Sequence, residues 1–381
     1  MNPESSPARQ WLAKRTRLVD SSGIRKMFDL AKQLPDPVNL SIGQVDYPLP
    51  DPVRQSLIDS INRDETDYAL TQGIAPLRNR LLERVRAAYP GQNRELFVSS
   101  GTSGGLVLSM LTLLDPGDEV IIFDPFFVMY RWLPHLVGAV PVPVSIYPDF
   151  RLDLQRVEAA ITPRTKMIIV NCPANPTGVS FDESELRQLA GLAADRQLCL
   201  VSDEIYSSFV YDRRHVSPAE FNPDTVVVDG FSKSHAMTGL RLGFVHGPPP
   251  VIEEMIKLKQ FTFVCAPHPV QQAGIVALET SIDHYVEQYR GKRDYMLDEL
   301  SRHYEIVKPD GSFYLFPRLP DGVSGDEFGR LAIDNNLLLI PGHVFSMQDT
   351  HFRIAYAVSD EKLQQGVEIL KRIASRQPAG T

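Results

Sequence analysis

The chain has 381 residues, of which 43% are apolar and 23% charged, as in globular proteins that bury a large core. The 39 Lys and Arg residues against 47 Asp and Glu give a formal net charge of −8 without a dense basic run, which disfavours nucleic acid or an anionic membrane as the main partner. No stretch approaches the ~18 consecutive apolar residues of a membrane-spanning helix, and residues 1–11 lack the apolar core of a signal peptide, so we expect a soluble, cytoplasmic protein.

The amino-terminal part of the chain carries little predicted secondary structure. A short helix is indicated around 23–33 and an extended segment over 39–43, and we expect both to dock on a second domain. From about residue 94, short β-type runs alternate with longer helical patterns. The runs are 96–98, 119–123, 166–170, 198–201, 225–228 and 241–245. Several are continuously apolar, which is typical of strands covered on both faces, so the sequence predicts an α/β fold with a mostly parallel sheet between helices.

After about residue 282 the pattern changes. It predicts a long amphipathic helix over 284–303, short strands near Ile306 and over 313–316, a further helix, a strand over 352–355 and a closing helix from Asp360. Strands and helices in that order favour a smaller α+β domain packed on the first. We therefore predict an amino-terminal segment (1–45) docked on the small domain, a large domain (46–282) and a small carboxy-terminal domain (283–381).

A glycine-rich turn follows the first predicted strand. It reads Ser99-Ser100-Gly101-Thr102-Ser103-Gly104-Gly105 and opens an apolar helix over 106–114. The backbone N–H groups and the dipole at such a helix start suit a phosphate, and glycines let the chain approach it closely. The alternative is an ordinary turn with a Ser or Thr cap, and this segment alone does not decide between the two.

The same turn also satisfies G-x-S-x-G, the nucleophile pattern of the α/β-hydrolases, so a serine hydrolase using Ser103 is a rival prediction. That enzyme needs a later histidine, and His343 and His351 are late enough, although neither context singles it out. The three cysteines lie far apart without a CxxC pair, so the sequence predicts neither a disulfide framework nor a metal site.

Polar residues follow the later predicted strands at the same edge of the sheet. Asn175 lies in a loop after the third strand and Asp203 follows the fourth, and either could serve only to turn the chain or cap a helix. Lys233 follows the fifth strand and Arg241 begins the sixth, with small and apolar neighbours. Because ligands of open parallel sheets bind at the carboxyl ends of the strands, we expect these groups to converge on one site.

In this order and spacing, the chain resembles the class I and II aminotransferases, the fold-type I enzymes that use pyridoxal 5'-phosphate. The resemblance runs from Ser22-Gly23-Ile24-Arg25 to Arg353. The residues that carry it are Tyr68 with Gly73, Gly101-Thr102-Ser103, Asp124-Pro125-Phe126-Phe127, Asn175-Pro176-Thr177-Gly178, Asp203-Glu204-Ile205-Tyr206, Ser232-Lys233, Arg241 and Arg353. It implies a fold-type I transferase that moves an amino group between an L-amino acid and a 2-oxo acid by a ping-pong mechanism.

The resemblance also implies the roles of the catalytic residues. Lys233 would form a Schiff base with the cofactor aldehyde and, as a free amine, move the proton between the substrate α-carbon and the cofactor. That task needs an amine pKa brought down towards neutrality by burial and by cations such as Arg241. Asp203 would keep the pyridine nitrogen protonated so that the ring accepts electrons. Asn175 and Tyr206 would hydrogen-bond the phenolic oxygen of the cofactor.

Further residues would hold the cofactor ring and phosphate. Phe127 would stack on the ring, or Phe126 if the alignment shifts by one residue. The phosphate would lie on the turn Gly101-Thr102-Ser103, with a charge-assisted contact from Arg241. In the family, Tyr68 reaches the phosphate from the other subunit, so the resemblance implies a homodimer with the active site at its interface.

On the substrate side, the resemblance implies that Arg353 binds the α-carboxylate, helped by the backbone at Gly43 and by Asn175. Specialists for aspartate and glutamate need a second cation, and one branch of the family has a lysine where this chain has Ser103. Aromatic residues are also expected near the pocket: Phe28, Tyr47, Phe261 and Phe263. We therefore favour an aromatic or other neutral amino donor, with 2-oxoglutarate as a plausible acceptor.

One departure and one rival reaction follow from the same comparison. Many relatives have a phosphate-binding serine where this chain has Gly230, so one phosphate contact is lost or replaced. A carbon-sulfur β-lyase, or a synthase that acts on an activated γ-carbon, would use the same cofactor and the same lysine. The sequence leaves these reactions open beside transamination.

Overall fold

The computed structural model describes residues 7–20, 23 and 34–375. Apart from Gly23, the helix predicted around 23–33 lies outside the described residues, as do Ser22, Ile24 and Arg25 of the matching motif and the predicted pocket residue Phe28. Within the described part of the chain, every helix is too short or too polar to cross a lipid bilayer.

The described residues form twelve strands, and seven of these make up the sheet at the centre of the fold. In chain order the strands are β1 (Val38–Asn39), β2 (Glu95–Ser99), β3 (Glu119–Asp124), β4 (Val140–Ser145), β5 (Thr165–Asn171), β6 (Cys199–Asp203), β7 (Val226–Gly230), β8 (Gly243–Gly247), β9 (Tyr314–Leu315), β10 (Leu337–Leu338), β11 (Ile340–Pro341) and β12 (Phe352–Ala355). The central sheet has the order β2-β8-β7-β6-β5-β3-β4. Only β8 runs antiparallel to its neighbours there, which confirms the predicted mostly parallel sheet.

Helices cover both faces of this sheet. In chain order the helices of the described residues are α1 (Asp51–Asn62), α2 (Ala75–Ala88), α3 (Gly101–Leu113), α4 (Val128–Leu136), α5 (Leu154–Ala160), α6 (Glu183–Asp195), α7 (Pro249–Lys259), α8 (His268–Ala277), α9 (Asp283–Leu300), α10 (Gly325–Asp334) and α11 (Asp360–Ser375), and the last three belong to the carboxy-terminal part. In β3, Val120 packs in one core with Leu106 of α3, and Ile121 packs in another with Leu186 of α6. Because neighbouring side chains of a strand point to opposite faces, a strand buried on both sides is apolar throughout.

All six predicted strands of this sheet are present, and β4 is a seventh that the sequence analysis missed. Its sequence contains Pro141 and Pro143, and each proline lacks the N–H group that a ladder needs. β4 tolerates them because it is an edge strand that pairs only with β3.

The carboxy-terminal part forms a small antiparallel sheet in the order β11-β12-β9, packed with α9, α10 and α11. The prediction of a strand near Ile306 is wrong, because residues 305–309 form no strand. Their backbone pairing within the described structure is one hydrogen bond, from the Arg318 N–H to the Glu305 carbonyl. Pro309 removes a further donor from this segment. The strand predicted over 313–316 shortens to β9.

The amino-terminal segment pairs with this carboxy-terminal part. Val38 and Asn39 of β1 lie parallel to β10, and Leu40 continues with a bond from its N–H to the Leu338 carbonyl. The pairing therefore extends over residues 38–40, and Gly43 accepts a hydrogen bond from the Lys233 amine shortly after β7. One apolar core joins Leu40 with Ile205 of the central part and with carboxy-terminal residues, so the boundaries at 45/46 and 282/283 stay a prediction.

Candidate active site

A cavity of about 300 Å³ opens at the carboxyl ends of the central strands. Its floor is formed where β5 ends at Asn171 and β6 ends at Asp203, and its side by the start of α3. It is lined by every predicted site residue except Gly101 and Tyr68, namely Gly43, Thr102, Ser103, Phe127, Asn175, Asp203, Tyr206, Lys233, Arg241 and Arg353. The tertiary structure thus brings together side chains from most of the chain length.

Lys233 lies in the turn that follows β7, and its amine points into the cavity. The Nζ atom donates a hydrogen bond to the Gly43 carbonyl at 2.5 Å. Burial, together with the charges of Arg353 and Arg241, lowers the pKa of Lys233 to about 8, and the charge of Asp203 opposes this shift. A substantial neutral fraction of this amine therefore exists near neutral pH, as a nucleophile or a base requires.

Asp203 is the buried acid of the cavity. Its Oδ2 atom accepts a hydrogen bond from the Tyr130 hydroxyl at 2.7 Å, and its Oδ1 atom accepts one from the Ile205 N–H at 3.2 Å. Burial raises the pKa of Asp203 to about 6, against the lowering effect of both donors. The sequence analysis missed Tyr130, although its position in α4, one helical turn after Phe127, places both on the same side of that helix.

The start of α3 offers an anion site. No side chain of the described residues caps this helix, so its first N–H groups remain available. Gly101 has a φ of +68°, and a Cβ atom there would collide with the Arg241 guanidinium, so only glycine lets the cation lie over the helix start. The Arg241 Nη1 atom donates to the Thr238 carbonyl at 2.9 Å, which holds the guanidinium in place.

The structure explains the departure at Gly230. A Cβ atom at this position would lie 2.9 Å from both the Gly243 Cα atom and the Leu242 carbonyl oxygen, so the strands β7 and β8 exclude a serine here. Ser232 lines the cavity two residues later, and its buried Oγ atom has no hydrogen-bond partner in the described structure. A buried hydroxyl without a partner indicates a ligand that supplies one.

Arg353 lies at the opposite end of the cavity and is buried, with 1% of its surface exposed. Its Nη1 atom donates to Asn175 Oδ1 at 3.0 Å and its Nη2 atom to the Ser41 carbonyl at 2.6 Å. The Nε atom is buried without a partner. The hydroxyl groups of Tyr206 and Tyr314 meet at 2.8 Å nearby, and Tyr314 is a second cavity residue that the sequence analysis missed.

The remaining predicted residues lie around this cavity. Phe127 lines it and meets the Tyr130 ring edge to face at 5.7 Å, whereas Phe126 is buried in the core beside α3. Tyr68 lies outside the cavity with 88% of its surface exposed, and Phe261 is 83% exposed.

Two aromatic residues predicted near the pocket are placed differently. The Tyr47 hydroxyl donates towards the carbonyls of Lys233 and Ser234. Phe263 lies against the start of α3 beside Gly104. Neither side chain lines the cavity itself.

The serine hydrolase prediction lacks its histidine in the described residues. The Ser103 hydroxyl donates to the Met129 sulfur at 3.6 Å rather than to an imidazole. His351 bonds to the Thr350 hydroxyl, and His343 bonds to Asp349. The geometry therefore does not assemble the general base that a nucleophilic serine requires.

A doubly covered, mostly parallel sheet with a lysine, an acid and an uncapped helix start at its carboxyl edge defines the class of fold-type I transferases. The chain matches the family "Aminotransferase class I and II" over residues 35–370. It is 33% identical to the protein named probable aspartate aminotransferase of Methanocaldococcus jannaschii, over 95% of this chain and 99% of that one. It is 31% identical to aromatic-amino-acid aminotransferase 2 of Thermococcus litoralis, over 95% and 98%.

Solved structures agree with this match. A double mutant of Thermus thermophilus aspartate aminotransferase superposes with a TM-score of 0.90 at 32% identity, covering 95% of this chain and 99% of that one. The chain belongs to the class I and II aminotransferase family. Its activity is the transfer of an amino group between amino acids and 2-oxo acids.

Proposed function

We propose that pyridoxal 5'-phosphate is the cofactor and that the cavity described above holds it. Three features of this chain fit that group: the uncapped α3 start with Arg241 over Gly101, the partnerless hydroxyl of Ser232, and the buried Asp203 carboxyl. When bound, the cofactor supplies an aldehyde that bonds to amines and a protonated ring that withdraws electrons from the substrate α-carbon. The observation that carries the proposal is the Lys233 amine, with its pKa of about 8, in the same cavity as Asp203.

The roles proposed for the catalytic residues follow from their environment. Lys233 would hold the cofactor aldehyde and, once displaced by substrate, take the proton from the α-carbon, because its lowered pKa leaves about a tenth of the amine neutral at pH 7. Asp203 would hold the proton on the ring nitrogen, since a buried carboxylate stabilises a cation beside it. Tyr206 and Asn175 would bind the phenolic oxygen, and Phe127 would cover the ring face.

The phosphate would bind where backbone donors and a cation meet. We assign it to the N–H groups of Gly101, Thr102 and Ser103, with Arg241 as the charged partner. Ser232 would replace the contact that Gly230 cannot make, because its hydroxyl lines the cavity and has no other partner.

The substrate class is argued from the cations of the cavity. Among the described lining residues these are Lys233, Arg241 and Arg353, and each already has a task. Arg353 would bind the α-carboxylate with Gly43 and Asn175 beside it, and Ser103 stands where a second carboxylate would need a cation. We therefore propose an aromatic or other neutral amino donor with a 2-oxo acid such as 2-oxoglutarate as acceptor.

A homodimer with the active site at the interface is proposed from the exposed aromatic residues. Tyr68 and Phe261 are almost fully exposed, and Phe263, two residues after Phe261, reaches the start of α3. Large exposed apolar side chains near a functional site are typical of an interface. Mixed dimers of Lys233→Ala and Tyr68→Ala subunits test it, because a shared site places both defects in one cavity and leaves the other intact. Recovery of activity on mixing supports the proposal, and its absence in verified mixed dimers contradicts it.

The cytoplasmic location also stays a prediction.

Absorption spectra of the purified protein test the cofactor and the reaction together. We expect a visible band that disappears when one amino acid is added and returns when a 2-oxo acid is added, and no such response in Lys233→Ala. Release of ammonia and pyruvate from cystathionine without a 2-oxo acid would favour the β-lyase instead.

Rates with a panel of amino donors test the proposed preference for an aromatic or other neutral donor. This preference is refuted if the rate with aspartate exceeds the rates with phenylalanine and tyrosine by about a hundredfold, which corresponds to about 2.7 kcal/mol of transition-state binding.

A further inference from the structure

Two arginines of this protein are buried to the same extent but are compensated differently. Arg293 and Arg353 each expose 1% of their surface. Arg293 forms ion pairs with Asp212 and Asp294, the usual way in which a protein offsets the desolvation of a buried charge. No ion pair within the described residues includes Arg353, whose hydrogen bonds go to neutral oxygens of Asn175 and Ser41.

Aromatic rings take the place of the missing acid. The guanidinium carbon of Arg353 lies 4.6 Å from the ring centroid of Tyr314 and 4.6 Å from that of Phe345. At this distance the negative face of each ring attracts the cation, and the attraction grows when water is excluded, as it is here. A protein carboxylate would stabilise the charge more strongly, but it would also occupy the N–H groups that a substrate carboxylate needs.

The backbone of Phe345 is held by hydrogen bonds at both its carbonyl and its N–H group. Phe345 is fully buried in the core beside the central sheet. Its carbonyl accepts a hydrogen bond from the Phe126 N–H at 2.7 Å, and its own N–H donates to the Gly342 carbonyl at 2.8 Å. The first bond joins the Phe345 backbone to Phe126, in the loop that carries Phe127 into the cavity.

We propose that Phe345 is a positioning residue for substrate carboxylates: its ring stabilises the buried Arg353 cation without an acidic partner, so that the guanidinium remains free for the carboxylate of each substrate. The inference rests on the proposed function, because it takes Arg353 as the carboxylate site. Tyr314 contributes a second ring, but its hydroxyl also bonds to Tyr206, whereas the Phe345 side chain has no polar group. Phe345 therefore isolates the effect of the ring on the cation.

The test replaces the ring and preserves apolar volume as far as a natural side chain allows. In Phe345→Leu we expect the KM for the amino donor and the KM for the 2-oxo acid to rise together, by about five- to thirtyfold, because both carry the carboxylate that Arg353 binds. kcat should stay within about threefold, since the groups around Lys233 are untouched. The dissociation constant of 3-phenylpropanoate, a carboxylate without an amino group, should rise by the same factor in a spectral titration of the holoenzyme.

The matched control is Phe150→Leu, which removes the same ring from the same core but does not contact Arg353. The proposal is overturned if Phe345→Leu has the same KM values and the same affinity for 3-phenylpropanoate as this control. It is also overturned if Phe345→Leu lowers kcat alone. If Phe345→Leu does not fold, Phe345→Met is measured in its place, with the same expectation and the same refuting result. A wild-type protein without a cofactor band or transamination refutes the proposed function instead, so the two failures are distinguishable.

Discussion

The hydroxyl of Tyr130 should set the pH at which the cavity binds its cofactor. Tyr130 donates to Asp203 Oδ2 at 2.7 Å, and both groups are buried. Tyr130→Phe removes this donor and keeps the ring. A hydrogen bond to a charged group contributes about 1.5–3 kcal/mol, and one pKa unit corresponds to about 1.4 kcal/mol. Because the bond stabilises the ionised carboxyl, its loss should raise the pKa of Asp203 from about 6 by about one to two units.

The assay is the affinity of the cofactor-free protein for pyridoxal 5'-phosphate between about pH 5 and pH 9, followed by visible absorption. Asp203 must be ionised to hold a protonated ring, so affinity falls as the pH drops through its pKa. We expect this fall near pH 6 in the wild type and about one to two units higher in Tyr130→Phe. At pH 7 the variant should bind about two- to tenfold more weakly, because the ionised fraction of Asp203 falls by that factor.

Other groups titrate in the same range, so the difference between two proteins carries the result. Tyr147→Phe is the matched control, because its hydroxyl bonds to Ser346 at 3.0 Å and does not line the cavity. The pH profile of this control should follow the wild type. A Tyr130→Phe profile that coincides with both, or moves to lower pH, would refute the role assigned to Asp203 and its donor.

Three further outcomes are expected. Lys233→Ala should lose transamination by about 10⁴-fold or more in single-turnover kinetics while its circular dichroism stays native, and turnover at the wild-type rate would end the assignment. Gly230→Ser should destabilise the fold by about 1–3 kcal/mol in urea unfolding, because the new Cβ atom would meet Gly243 and Leu242. Gly239→Ala, with open space around it, should leave the free energy of unfolding nearly unchanged. Equal effects of the two substitutions would contradict the close packing of β7 on β8. Burial lowers the pKa of Lys259 to about 8 in the folded protein, so between about pH 8 and pH 10 this lysine binds more protons in the unfolded chain than in the folded one. The free energy of unfolding should therefore rise with pH in this range. This part of the rise should be missing in Lys259→Met. An unchanged slope in Lys259→Met would show that this lysine does not supply it.

The local sequence was enough to predict most of the residues that the structure brings together at one cavity. Buried strands of a doubly covered sheet are apolar throughout, so a polar residue at the end of such a run or shortly after it marks the carboxyl edge, as at Asp203 and Lys233. The glycine-rich segment at the start of α3 indicated a helix start that admits close contact. The edge strand β4 was missed; its prolines lack the N–H groups of a ladder, and whether a strand tolerates them depends on its having a free edge.

The sequence by itself therefore determined the mostly parallel sheet, six of its seven strands and the residue types at its carboxyl edge, since these depend on short-range periodicity and on the chemistry of single residues. Only the tertiary structure decided which distant groups meet. Tyr130 and Asp203 are 73 positions apart, and Arg353 is 178 positions from Asn175. Contacts of this kind have no local signal, and the removal of water on burial, which shifts the pKa of Asp203 and of Lys233 towards neutrality, follows from them.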